Sequence, residues 1–253
     1  MKVRMHFRVP RAVSVLSFAV AALSVALVAQ MFGRDPRSIV LLAAFGVLLY
    51  VPSLVGRLRM RRLLMSGDVE RVIGTWADSI RRVRHPETMT PLLHATAYAA
   101  YGWNEAARRA LDRAAKGPAW DAAIEQRLFI ETLLDTFEGD RATAVTKATM
   151  LQALPIPSAG FMARRRIAAL RRGLGALARA FAHASREGDA HALERAAAAS
   201  PLVHWAMRYA EAVIAIDTGS QKQARDLLSR APPWPPESAF REYHDELLSR
   251  VSA

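Results

Sequence analysis

Hydrophobic residues are distributed along this chain in two ways. Near the N-terminus they form two runs without charge, residues 12–32 (AVSVLSFAVAALSVALVAQMF) and 38–56 (SIVLLAAFGVLLYVPSLVG), joined only by GRDPR. A helix crossing about 30 Å of hydrocarbon needs roughly 20 mostly apolar residues, so the two runs predict a transmembrane helical hairpin. Gly46 and Pro52 are compatible with a span whose freed backbone groups find partners. The first run is long for a cleaved signal peptide, and a second run follows it almost at once. Lys2, Arg4, Arg8 and Arg11 precede the pair, while Arg57, Arg59, Arg61 and Arg62 follow it. The turn holds Arg34 and Arg37 but also Asp35. Positive charge therefore collects on the outer flanks, which predicts a bacterial inner-membrane protein with two spans and both termini cytoplasmic.

From Leu63 onward the pattern reads as helix after helix. Ala, Arg, Leu and Glu dominate, all strong helix formers, and β-branched runs are nearly absent. Gly67-Asp68, Gly139-Asp140, Gly188-Asp189 and Gly219-Ser220 each offer a left-handed helix end followed by a cap for the next helix. Gly102 sits in a tight helix–helix turn, and Pro86–Pro91, Gly117-Pro118, Pro155–Gly160, Pro201 and Pro232–Pro236 supply further breaks. The expected helices lie near 66–84, 89–101, 103–116, 119–137, 140–153, 160–186, 189–199, 201–217, 220–230 and 237–250. Gly173 and Gly175 leave open whether 160–186 is one helix or two. Two domains follow: residues 1–62, basic and membrane-inserted, and an all-α domain over 63–253.

The glycine turns at 67, 102, 139, 188 and 219 are spaced by 35, 37, 49 and 31 residues, and helix pairs repeating in the thirties mark α-solenoids. The unit around Gly219, with Ala212, Ala224, Leu228, Ala231 and Pro236, resembles the tetratricopeptide repeat (TPR) family. So does the unit around Gly102, with Ala95, Tyr98, Ala107, Leu111 and Ala114. The remaining turns match less well. The resemblance implies an α-solenoid that binds a protein partner in a groove lined by the first helix of each pair. Arg127 and Arg208 are then the candidate partner contacts, with Trp234, held among four prolines, a third.

Charge alters this picture little. The formal net charge is +12, which invites a nucleic-acid reading. Residues 1–62 hold ten Lys/Arg and one acid, whereas 63–253 hold 25 and 22, so +9 of the excess lies beside the apolar runs. Attraction to anionic lipid at those flanks explains it better than nucleic acid, whose binding needs a basic folded surface. One local cluster, Arg164, Arg165, Arg166, Arg171 and Arg172, is a candidate contact for an anionic surface or an acidic partner. The absence of cysteine excludes disulfides and thiolate metal sites.

No chemistry-bearing motif emerges. Seven histidines include no HExxH pair, and the His183, Glu187, His191 spacing is interrupted by Gly188-Asp189. There is no phosphate loop, nucleophile elbow or paired-carboxylate motif. The chain is thus expected to be a membrane-anchored adaptor rather than an enzyme, with no catalytic, metal or cofactor residues. One alternative is a structural or assembly subunit of a membrane complex. The other is an enzyme or small-ligand binder without a recognisable motif.

Overall fold

The computed structural model describes residues 51, 54–80, 83–157 and 160–252. The chain divides into two units, residues 1–60 and 61–253. In the first unit residues 54–60 are helical and expose Leu54, Val55 and Leu58. In the second unit residues 61–64 are helical, and ten further α-helices follow among the described residues, with no strand. They are α1 (Val69–Ile80), α2 (Pro86–Ala100), α3 (Asn104–Ala115), α4 (Ile124–Glu138), α5 (Arg141–Ala153), α6 (Phe161–Phe181), α7 (Asp189–Ala199), α8 (His204–Asp217), α9 (Gln221–Leu228) and α10 (Ala239–Ser252).

Local chemistry sets the boundaries. Gly67, Gly102, Gly139, Gly188 and Gly219 all have positive φ, between 73° and 89°, a region closed to most residues with a Cβ. After Gly102 and Gly219 the chain folds back, with Trp103 N–H donating to Tyr98 O and Ser220 N–H to Ala215 O. His183 takes the same left-handed role at the end of α6, with φ 51° and Ala184 N–H reaching Arg179 O. Asp68 and Asp140 accept from Arg71 N–H and Thr143 N–H, satisfying orphan donors at the starts of α1 and α5.

Four antiparallel pairs result, α2–α3, α4–α5, α6–α7 and α8–α9, and the first helices α2, α4, α6 and α8 also pack on one another in sequence. Alanine makes this close packing feasible: Ala95, Ala99, Ala107, Ala110, Ala206, Ala210 and Ala224 are fully buried. The long helix α6 is continuous, and its glycines allow close approach rather than a bend. A Cβ at Gly173 would lie 2.2 Å from the Ala196 Cβ on α7, and one at Gly175 would lie 2.1 Å from Gln152 Nε2 on α5.

The array is not left open as a solenoid. The segment after α9 returns across it, with Ser238 Oγ donating to Tyr101 O (2.7 Å) and Ala239 N–H to Gly102 O (2.8 Å). Phe240 then stacks edge-on against Phe137 of α4 at 4.9 Å and contacts Tyr209 of α8 at 5.1 Å. Tyr243 meets Phe181 of α6 at 5.4 Å and donates to Phe137 O at 2.9 Å. The C-terminal helix and the residues that begin it therefore touch the ends of α2, α4 and α6 and the middle of α8.

Among the described residues no helix is long and apolar enough to cross a membrane. The runs 12–32 and 38–56 lie outside the described residues except for residues 51 and 54–56. The transmembrane hairpin, the two-span inner-membrane placement with cytoplasmic termini, and the lipid and membrane-complex partners thus have no structural support and are withdrawn. The open TPR-like α-solenoid is replaced by an all-α array closed by its own C-terminal helix.

Candidate anion-binding cleft

The residues singled out by sequence are scattered over the unit. Trp234 is only 7 % exposed and donates its Nε1–H to Tyr209 Oη at 2.6 Å, so it belongs to the core. Arg127 lies over the Trp120 ring, 4.0 Å from its centroid, and its buried Nε has no hydrogen-bond partner among the described residues. Arg208 pairs with Glu211 Oε2 one turn along α8 (2.7 Å). Burial raises the Glu211 carboxyl above its ordinary value against the opposing pull of Arg208.

The arginine cluster separates into two populations. Arg171 turns inward and is 5 % exposed; it pairs with Glu125 at 2.8 Å and donates to the carbonyls of Leu154 and Pro155. It clamps α6 to α4 and to the loop after α5, which removes it from any surface contact. Arg164, Arg165, Arg166 and Arg172 remain exposed. Arg165, Arg172 and Arg179 recur every seven residues, nearly two helical turns, and so share one face of α6.

That face runs into a cleft of about 250 Å³ where α6 meets the start of α7. Arg172 and Arg179 line it from α6, His191 and Arg195 from α7, Gln152 from α5 and Glu187 from the connecting loop. Arg179 is already neutralised: its Nε and Nη2 grip Asp189 at 2.9 and 2.5 Å, and Arg186 N–H adds a third bond to that carboxylate at 2.9 Å. Desolvation works against ionisation of Asp189, but these bonds outweigh it and hold its carboxyl below the usual range. Arg172 donates only to Ala168 O in its own helix (3.2 Å). Arg195 has no hydrogen bond or ion pair among the described residues. Two guanidinium groups thus face the cleft without carboxylate partners, and guanidinium is the side chain suited to bidentate anion recognition.

A second cleft of about 410 Å³, between the Gly67 turn and the Pro233–Pro235 loop, is lined by Asp68, Glu70 and Glu237. Its carboxylates are solvated, and Asp68 is already used as a helix cap. No group of three potential metal ligands occurs among the described residues. His183 turns away from His191 and pairs with Asp217 at 2.9 Å, so the histidine spacing in the sequence makes no ligand stripe. The sequence reading missed Arg179, His191 and Arg195 as a cleft, although the seven-residue arginine spacing was available to it.

Compared with protein-family models, curated proteins and solved structures, the chain matches none. The TPR resemblance in the Gly102 and Gly219 units is therefore not upheld by any family model, and the adaptor function that rested on it falls with it.

Proposed function

We propose that residues 61–253 form a ligand-binding module without catalytic residues, whose α6–α7 cleft takes a phosphoryl or carboxylate group. The observation that carries this reading is the pair of unpartnered guanidiniums, Arg172 and Arg195, on opposite sides of one recess whose third arginine is already neutralised by Asp189. Glu187 on the same rim tempers the field. It favours a ligand with an N–H or O–H donor beside its anionic group.

Calorimetric titration of the full chain with inorganic pyrophosphate, and separately with citrate, tests the reading. Charge-assisted hydrogen bonds contribute about 1.5–3 kcal/mol each, so Arg172→Gln/Arg195→Gln should weaken binding by at least roughly tenfold. Arg109→Gln, on the solvated face of α3, should leave it unchanged. Absence of binding, or equal binding by the double variant, rejects the cleft as an anion site.

A further inference from the structure

The first turns of α6 carry the most exposed large apolar pair of the described residues, Phe161 (71 %) and Met162 (68 %). Arg164, Arg165 and Arg166 follow after Ala163, all exposed, and none has a carboxylate within ion-pair distance among the described residues. Arg165 lies over the Phe161 ring at 5.5 Å. Phe161, Arg165, Ala168 and Arg172 fall on one face of the helix at i, i+4, i+7 and i+11. Exposed Phe and Met beside unpaired arginines combine residue types enriched at interfaces, and α6 itself carries no acidic residue.

We infer that this face docks an acidic protein segment that seats an apolar side chain on Phe161 and Met162 and delivers its carboxylates to Arg165, Arg172 and the cleft. The inference rests on the anion-binding reading and names the carrier of the anion. Charge complementarity selects the occupant: the exposed face is basic and apolar, so the partner is acidic and apolar. Geometry sets its length. Eleven residues of α-helix separate Phe161 from Arg172, a rise of about 16 Å, which about five extended residues span. A segment in this path presents backbone N–H groups, the donors that Glu187 is placed to accept. A planar lipid surface meets the projecting residues 161–166 but cannot follow the face into the recess between Arg172 and Arg195.

The test uses the full chain and a fluorescein-labelled peptide of one Phe, four Ser and three Glu, with a control peptide placing the Phe among the glutamates. Binding is read by fluorescence anisotropy, and each variant is also titrated with pyrophosphate. Phe161→Ser/Met162→Ser should weaken the spaced peptide by roughly ten- to thirtyfold and leave pyrophosphate affinity unchanged. Arg172→Gln/Arg195→Gln should weaken both ligands. If the spaced peptide binds no better than the control, or the apolar double variant binds it as well as the native chain, the docking inference is overturned while the pyrophosphate result still stands for the cleft. Loss of the pyrophosphate response to the arginine variants overturns the cleft reading instead. Flotation with phosphatidylserine vesicles that depends on Phe161 and Met162, without peptide binding, replaces the protein segment by a lipid surface and also overturns the inference.

Discussion

At the scale of single residues, the constraints are tightest where helices cross. Gly173 admits Ala196 because it has no Cβ, and the 2.2 Å separation a Cβ would have leaves no relaxed position for Gly173→Ala. Overpacking of this kind costs typically about 1–3 kcal/mol, and thermal unfolding should show a lower Tm. Adding Ala196→Gly should restore part of the loss, a coupling a double-mutant cycle measures directly. His204 offers a different test. Burial, reinforced by Arg208 and Arg61, lowers its pKa from 6.5 to about 4, so it is neutral in the folded protein at pH 7. A lowered folded-state pKa gives stability that is fully present above 6.5 and is lost as pH falls towards 4. Urea midpoints should therefore drop across that window, and His204→Leu should flatten the drop. Glu211 carries the opposite sign, since its raised pKa makes ionisation costly to the folded state. Glu211→Gln keeps an acceptor for Arg208 and should raise the midpoint above pH 6 by a few tenths of a molar in urea, about 0.5–1 kcal/mol at typical m values.

At the scale of elements, helix punctuation was legible and helix partnership was not. The glycine turns are written locally, because a left-handed residue at a helix end favours glycine whatever lies around it; His183 is a non-glycine exception. All five glycines named from sequence take that conformation. The return of α10 carries no such signal: Ser238, Phe240 and Tyr243 find Tyr101, Phe137 and Phe181 more than fifty residues away. Regular turn spacing suggested an open array for the same reason. The arginine cluster was legible as a cluster, but only the partner Glu125 and two carbonyls reveal that Arg171 points inward. Phe240 is fully buried among three aromatic rings, those of Phe137, Tyr209 and Trp234, so Phe240→Ala should cost about 3–5 kcal/mol, read as a loss of urea midpoint. Three neighbouring helices are also tied by charge. Arg108 of α3 reaches Asp135 and Glu138 of α4 at 2.9 and 2.5 Å, while Lys147 of α5 reaches Asp135 at 2.7 Å and Glu131 at 3.0 Å. Removing Asp135 leaves Arg108 with Glu138 alone and Lys147 with Glu131 alone, and Asp135→Ala should destabilise by about 1–2 kcal/mol through the two lost charge-assisted bonds.

At the scale of the whole 61–253 unit, contacts at its two ends are made by the same few segments. Trp205 Nε1–H donates to Met65 O and Tyr101 Oη–H to Leu64 O, at 2.8 and 2.6 Å. Trp234 stands beside Tyr101, Trp205 and Tyr209, with ring centroids 6.1–6.5 Å apart. An open repeat array unfolds piecewise, because each repeat touches only its neighbours; a closed one should unfold as a single cooperative step. Deletion of residues 232–252 should therefore lower the urea m value as well as the midpoint. The closure also governs the order of folding. The ribosome completes every helix that α10 joins before α10 itself exists, so the nascent chain passes through a stage in which the seats for Phe240 and Tyr243 on α4, α6 and α8 are open to water. Until its clasp is made, a growing chain of this protein carries an unfilled aromatic surface around Phe137, Phe181 and Tyr209 that a chaperone could hold.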